Sequence, residues 1–215
     1  MTIPRLYAIA DVDLLTARLL PLDTFAAELL AAGVEIMQYR NKQGNARQML
    51  QDAAKLRTIF VGASAKLILN DRADLALLSG FDGVHVGQQD LAAEDARSIL
   101  GPGSWVGVST HTCRQVIEAN ATSCDYIAYG PIFATASKIN PDPTVGLAGL
   151  RAARAETRKP LVAIGGITRA NCRSVLDAGA DSVAVISDLL PARNNPNAIP
   201  ISTRQLAEEF LSLFA

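Results

Sequence analysis

Gln38, Arg40 and Lys42 occupy every second position after the apolar run Val34-Glu35-Ile36-Met37. On an extended strand alternate residues point to one face, so an amide, a guanidinium and an ammonium can converge on one spot. That set suits a polyphosphate, because a guanidinium can bind two oxygens at once and an ammonium acts as a compact point charge. A charged strand end reaching solvent is the plainer alternative. The apolar residues before it, and carboxylates on the neighbouring strands, weigh against that. Asn70-Asp71 follows Leu67-Ile68-Leu69, and Asp90 comes soon after Val84-His85-Val86-Gly87. Two carboxylates from adjacent strand ends, with no histidine cluster and no paired cysteines, suit a hard, oxygen-seeking cation such as Mg²⁺. Each aspartate is also a plausible helix N-cap, Asp71 before Arg72 to Leu78 and Asp90 before Leu91-Ala92-Ala93-Glu94.

His85, inside Gly83-Val84-His85-Val86-Gly87, reads as a hydrogen-bonded core residue. His111, two residues beyond Ser109, is better placed for chemistry. Neither has the partners of a nucleophilic triad, so Ser109 reads as a hydrogen-bond donor to a substrate. Gly165-Gly166 ends Leu161-Val162-Ala163-Ile164, and Ser187 ends the next run, Val183-Ala184-Val185-Ile186. This pair of motifs suits a phosphate held by backbone N–H groups, with a short helix N-terminus after Ser187. A tight strand-to-helix turn would also want glycine. Thr135, Ser137 and Lys138 lie on the long connection 131–144, which is expected to act as a lid that brings a cation over a bound diphosphate.

These residues must be positioned by elements, and they recur at the C-terminal ends of successive apolar runs. Eight such runs begin near Leu6, Val34, Lys66, Gly83, Trp105, Asp125, Leu161 and Ser182. Helical spacing fills the gaps at Thr24–Ala32, Ala46–Phe60, Leu91–Leu100, Arg114–Asn120, Leu147–Thr157 and Arg169–Asp177, and Thr203–Phe214 ends the chain with a stripe of Leu206, Phe210, Leu211 and Phe214. Strands alternating with helices imply parallel pairing. The expected fold is α/β, a (β/α)8 TIM barrel, as one domain over residues 1–215. An open doubly wound sheet would gather its polar residues at one switch point, whereas here nearly every run contributes. The segment 191–202, rich in Asn and Pro, reads as a spacer.

Composition limits the partners. The 215 residues are 49% hydrophobic with a net charge of −1. That balance gives no case for nucleic acid or an anionic membrane surface, so any anion site must be a local cluster. The three cysteines, Cys113, Cys124 and Cys172, are far apart and fit a reducing cytoplasm better than a disulfide framework. The apolar run Leu6–Ala10 is too short for a signal peptide or a membrane span, so a cytoplasmic location is expected. Homo-oligomerisation is left open.

With these residues laid out, the chain resembles the thiamine-phosphate synthase family almost end to end, from Tyr7-Ala8-Ile9 to Val185-Ile186-Ser187. The resemblance rests on Gln38-Tyr39-Arg40-Asn41-Lys42, Leu69-Asn70-Asp71-Arg72-Ala73-Asp74 and Asp82-Gly83-Val84-His85-Val86-Gly87-Gln88-Gln89-Asp90. Gly107-Val108-Ser109-Thr110-His111, Gly130-Pro131-Ile132-Phe133-Ala134-Thr135 and Ala163-Ile164-Gly165-Gly166-Ile167-Thr168 complete it. It implies an enzyme that joins a hydroxymethylpyrimidine diphosphate to a hydroxyethylthiazole phosphate and releases pyrophosphate. By the same resemblance Gln38, Tyr39, Arg40, Asn41, Lys42, Asn70, Ser109 and Lys138 would hold the pyrimidine diphosphate. Arg40, Lys42, Ser109 and Lys138 would serve the reacting centre. Thr135, Ala136, Ser137, Gly166, Ile186 and Ser187 would hold the thiazole phosphate, and Asp71 and Asp90 would hold Mg²⁺ as cofactor. Two departures are visible: Thr135-Ala136-Ser137-Lys138 replaces Thr-x-Thr-Lys, and Ile9-Ala10-Asp11 replaces Ile-Thr-Asp. Neither removes a charged group. A dissociative displacement needs no protein nucleophile, which agrees with the missing triad. The rivals are a thiazole tautomerase of the same superfamily, a silent phosphate-ligand-binding barrel, and a barrel isomerase, which would need an acid/base pair.

Overall fold

Short runs rich in Val, Ile and Leu are too brief for a helical stripe, and they become the strands. They are β1 (Leu6–Asp11), β2 (Ile36–Arg40), β3 (Lys66–Asn70), β4 (Gly83–Val86), β5 (Trp105–Thr110), β6 (Tyr126–Tyr129), β7 (Leu161–Ile164) and β8 (Ser182–Val185). In a computed structural model, which describes residues 2–135, 142–192 and 201–214, these strands form a closed parallel barrel in chain order. Closure is explicit in the register: Ala8 of β1 faces Met37 of β2, and Leu6 of β1 faces Val183 of β8. The (β/α)8 barrel is the fold, and the open doubly wound sheet is excluded.

The helices are α1 (Val12–Ala17), α2 (Leu22–Ala31), α3 (Ala46–Ile59), α4 (Ala73–Ser79), α5 (Ala93–Leu100), α6 (Cys113–Asn120), α7 (Gly146–Glu156), α8 (Cys172–Asp177) and α9 (Thr203–Ser212). Several boundaries differ from the periodicity, two of them for clear local reasons. Val34 N–H returns to the Leu29 carbonyl at the end of α2, so pairing of β2 begins only at Ile36. Asn171 Oδ1 accepts from Thr168 N–H in a turn, and α8 starts after it at Cys172 rather than at Arg169. No helix among the described residues is long and apolar enough to cross a membrane.

Strand alternation divides the core in two. One face of each strand packs outward on the helices, through residues such as Met37, Leu67, Val106 and Val183. The other face fills the barrel with Tyr7, Ile9, Ile36, Ile68, Tyr126, Val162 and Ala184. Gly107 makes room for this filling, since a Cβ there would lie 2.1 Å from Tyr126 Cζ.

At the N-terminal ends of the strands one device occurs three times. Asp82, Asp125 and Asp181, each just before β4, β6 or β8, accept the backbone N–H of Leu67, Val106 and Leu161 respectively. Each also pairs with a cation: Lys66, Arg97 and Arg154. A carboxylate bonded to both a backbone donor and a cation fixes the register of two neighbouring strands. Arg97 extends the tie to the carbonyls of Gly101, Ser104 and Ser123. Asp125→Ala would leave that guanidinium and the Val106 N–H short of an acceptor. It is expected to cost about 1–3 kcal/mol in urea unfolding while leaving ligand affinities at the opposite end unchanged.

Candidate active site

The C-terminal ends of the strands surround a cavity of about 590 Å³, and every strand contributes a wall residue or the loop that follows it. The polar groups form two arcs. Gln38 and Arg40 lie on β2 with Lys42 just after it, Asn70 ends β3 with Asp71 next, and Asp90 follows β4. Across the ring lie Thr135 after β6, Gly165 and Gly166 after β7, and Ile186 and Ser187 after β8. Ser109 on β5 stands between the arcs, so a reaction joining ligands from both sides would centre near it.

The first arc is built from ion pairs. Arg40 bonds to Asp11, a buried carboxylate at the end of β1 that lies opposite it in the strand register. The other oxygen of Asp11 accepts from Leu14 N–H and caps α1. One carboxylate therefore orients Arg40 and starts a helix. Lys42 pairs with Asp71. Burial pushes the Asp71 carboxyl above the usual carboxylate range; Lys42 opposes that shift, and the neighbouring Asp90 carboxylate adds to it. Asp71 also sits at φ +65°, in the left-handed region. A non-glycine residue held there is strained, and strain of this kind clusters at ligand sites.

The helix-cap alternatives fail for both aspartates. Helix α4 begins after Arg72 and α5 after Ala92, each without a side-chain cap. Asp90 instead accepts from Gly87 N–H at 2.8 Å, which turns its loop back toward Asp71. Among the described residues no three His, Cys, Asp or Glu side chains group as a metal site. A pair of carboxylates nevertheless suits Mg²⁺, which takes one or two protein carboxylates and fills its remaining positions with water and phosphate oxygens.

The structure separates the five consecutive residues 38–42. Gln38, Arg40 and Lys42 line the cavity, but the side chains of Tyr39 and Asn41 do not. Tyr39 is buried against α3 and donates to Asp52, while Asn41 donates to Tyr39 Oη and accepts from Gly44 N–H. Strand alternation sends these two outward, where they brace the loop that carries Lys42. Asn70 is buried at the cavity wall. Ala136, Ser137 and Lys138, and with them the middle of the expected lid, lie outside the described residues.

His85 is a buried hydrogen-bonded residue, as its strand position suggests, and burial lowers its pKa to about 4. It is therefore neutral near pH 7. Its Nε2 lies 2.8 Å from Ser109 Oγ, a contact the sequence does not reveal. His111 lines the cavity with Nδ1 2.7 Å from the Gly130 carbonyl and Nε2 3.6 Å from Asp142. Asp11 is the other unforeseen contributor, and its place at the strand end opposite Arg40 was the available signal.

On the far arc Ser187 opens a short 3-10 helix, Ser187–Leu189. Arg169 binds Asp188 through both its backbone and its side chain, which locks the β7 loop to the β8 loop. Gly166 has a tighter reason to be glycine than anion approach alone. At φ +63° its Cβ would also lie 2.5 Å from the Ala134 carbonyl oxygen and 2.8 Å from Phe133 Cβ. Gly80, at φ +67°, meets nothing within 4 Å. Gly80→Ala should thus show only the left-handed penalty of about 1–2 kcal/mol. Gly166→Ala should exceed it in urea unfolding, and equal losses would show that the β6 loop yields freely.

The chain is similar to known proteins along most of its length. The family model for thiamine monophosphate synthase matches residues 6–189. A thiamine-phosphate synthase of Koribacter versatilis is 55% identical over 215 residues, covering 99% of this chain and 97% of its own. One from Chloroflexus aurantiacus is 42% identical over 188 residues, covering 87% and 86%. Among solved structures, thiamine phosphate pyrophosphorylase from Pyrococcus furiosus superimposes with a TM-score of 0.82 at 32% identity, covering 97% of this chain and 94% of that one. The match runs from β1 through the turn after β8, and the chain belongs to the thiamine monophosphate synthase family, as an enzyme of the transferase class.

Proposed function

We propose that the enzyme joins a hydroxymethylpyrimidine diphosphate to a hydroxyethylthiazole phosphate, giving thiamine phosphate and pyrophosphate with the help of Mg²⁺. The observation that carries this reading is one cavity with two unlike anion sites. A cation-and-carboxylate arc on β2–β4 faces a glycine cradle on β7–β8, with Ser109 between. A diphosphate leaving group needs the first arc, and a phosphate ester needs only the second. A thiazole tautomerase handles no diphosphate and has no use for the first arc. A silent binding barrel would not need to keep Asp71 in a strained backbone conformation beside Asp90.

Bound between Asp71 and Asp90, Mg²⁺ would neutralise charge that develops on the departing pyrophosphate. The chain's own residues supply the rest. Arg40, held by Asp11, offers the remaining edge of its guanidinium to the diphosphate. Lys42 now rests on Asp71, and its ammonium would turn to a phosphate oxygen were that carboxylate to hold the cation. Ser109 and Gln38 orient the pyrimidine. The backbone at Gly165–Gly166 and Ser187 holds the thiazole phosphate so that the thiazole nitrogen faces the departing methylene. The aminopyrimidine carries the positive charge left on that carbon, so no protein nucleophile is required.

Incubation of the enzyme with both substrates, with and without Mg²⁺, tests the reaction directly. Thiamine phosphate and pyrophosphate should accumulate in equal amounts only when the metal is present. Asp71→Ala or Asp90→Ala should each lower turnover by more than the roughly 10–100-fold typical of changes outside a metal's direct ligands. If both variants turned over at the normal rate in chelator-treated buffer, these aspartates would not be the ligands.

The exchange of partners by Lys42 has its own signature. In Lys42→Met no ammonium competes for Asp71, so Mg²⁺ alone should bind more tightly. Lys42 is 44% exposed and its ion pair is screened, so the gain should be modest, about 2–5-fold. Pyrophosphate should bind more weakly to the same variant. Calorimetric titration with each ion reads both changes, and two shifts of the same sign would rule the exchange out.

A further inference from the structure

Along the cavity floor five side chains from five strands form an unbroken line of hydrogen bonds. Gln38 Nε2 donates to Tyr7 Oη at 3.0 Å. The hydroxyls of Tyr7 and Tyr126 are 2.8 Å apart. Tyr126 Oη lies 3.2 Å from His85 Nδ1, and His85 Nε2 lies 2.8 Å from Ser109 Oγ. Tyr7, Gln38, Tyr126 and His85 are buried, and all of the five except Tyr126 line the cavity.

The direction of this line follows from proton counting. A phenol has one proton to give. Tyr7 receives a bond from Gln38, so its proton goes to its other partner, Tyr126. Tyr126 then spends its own proton on His85 Nδ1. A neutral imidazole that accepts at Nδ1 carries its proton on Nε2, so His85 donates to Ser109 Oγ. The Ser109 hydroxyl proton is left over and can only serve the cavity. Had Gln38 turned its carbonyl oxygen to Tyr7, every bond would reverse, and the Ser109 proton would be spent on His85. The chain works by polarity rather than charge. Burial raises both phenol pKa values and lowers that of His85, so all three groups are neutral near pH 7.

We propose that Gln38, Tyr7, Tyr126 and His85 form a one-directional hydrogen-bond chain that fixes His85 as its Nε2–H tautomer and presents the Ser109 hydroxyl to the substrate as a donor. The polarity leaves Gln38 its carbonyl oxygen as an acceptor at the other end. One acceptor and one donor, set apart across the ring, match an aminopyrimidine, whose amino group donates and whose ring nitrogens accept. The identity of that ligand rests on the function proposed above; the polarity does not. Tyr7, Tyr126 and His85 are positioning residues, acting through Ser109.

Nitrogen-15 NMR of the imidazoles tests the chain without any substrate. The protein has two histidines. His111 Nδ1 faces the Gly130 carbonyl, which can only accept, so His111 should be the Nδ1–H tautomer and serve as an internal reference. At neutral pH His85 should show the opposite tautomer. Gln38→Glu replaces the donor with a carboxylate that only accepts, and it should switch His85 to Nδ1–H while His111 stays unchanged. Adding Tyr126→Phe should abolish that response. Pyrimidine diphosphate titrations then test the ligand end. Ser109→Ala should weaken binding about 5–10-fold, the worth of one hydrogen bond, and adding Tyr126→Phe should weaken it no further. Inorganic pyrophosphate should bind Ser109→Ala, with or without Tyr126→Phe, as tightly as it binds the unaltered protein. His85 as Nδ1–H in the unaltered protein, or a tautomer indifferent to Gln38→Glu, would overturn the chain. Additive losses for Ser109→Ala and Tyr126→Phe would overturn its link to the substrate. An enzyme that made no thiamine phosphate but showed the expected tautomers would instead refute the proposed reaction.

Discussion

Closing eight parallel strands into a ring leaves the inward side chains nowhere to go except against one another. The interior volume is fixed, so a large residue at one position demands a small one at another. Tyr126 and Tyr7 meet edge to face, with centroids 5.8 Å apart, over the gap that Gly107 leaves. Rings long enough to cross the interior carry hydroxyls into it, and a buried hydroxyl must find a partner. Gln38 and His85 provide those partners. The polar line along the cavity floor is therefore a product of barrel filling before it is anything else.

The two ends of the barrel use charge differently. At the N-terminal end Arg97, Arg154 and Lys159 spend their donors on backbone carbonyls and on the aspartates that precede the even-numbered strands. At the C-terminal end each cation of the first arc is held by one carboxylate and keeps donors in reserve. Separating the ties that close the ring from the groups that bind lets the cavity carry strain, such as the left-handed Asp71, without loosening the strand register.

Much of this was legible in the sequence because strands and helices leave different periods. Seven of the eight strand starts fall within one residue of the apolar runs that announce them, and the exception, β2, is explained by the turn at Val34. The alternation Gln38-x-Arg40-x-Lys42 pointed to the cavity correctly, while family likeness alone drew in Tyr39 and Asn41, whose side chains face the other way. The six residues of α1 were not legible, because so short a helix leaves no repeat to count. The partners of His85 were not legible either. Tyr7, Gln38, Ser109 and Tyr126 are scattered across 120 positions, and only the closing of the ring brings them into line.

That short helix sits where the ring closes. Its N-terminus is capped by Asp11, whose other oxygen holds Arg40. Just past its C-terminus, Arg18 donates to the Pro191 carbonyl at 2.7 Å, beyond the loop that bears Ser187. One end thus belongs to the first arc and the other to the segment that follows β8. Six helical residues rise about 9 Å, a length set by backbone geometry and not by any ligand. The helix acts as a gauge block across the seam: lengthening it by a residue would rotate its far end by about 100° and carry Arg18 off its carbonyl. Natural variation in this enzyme should find room in the long connections long before it finds any between Asp11 and Arg18.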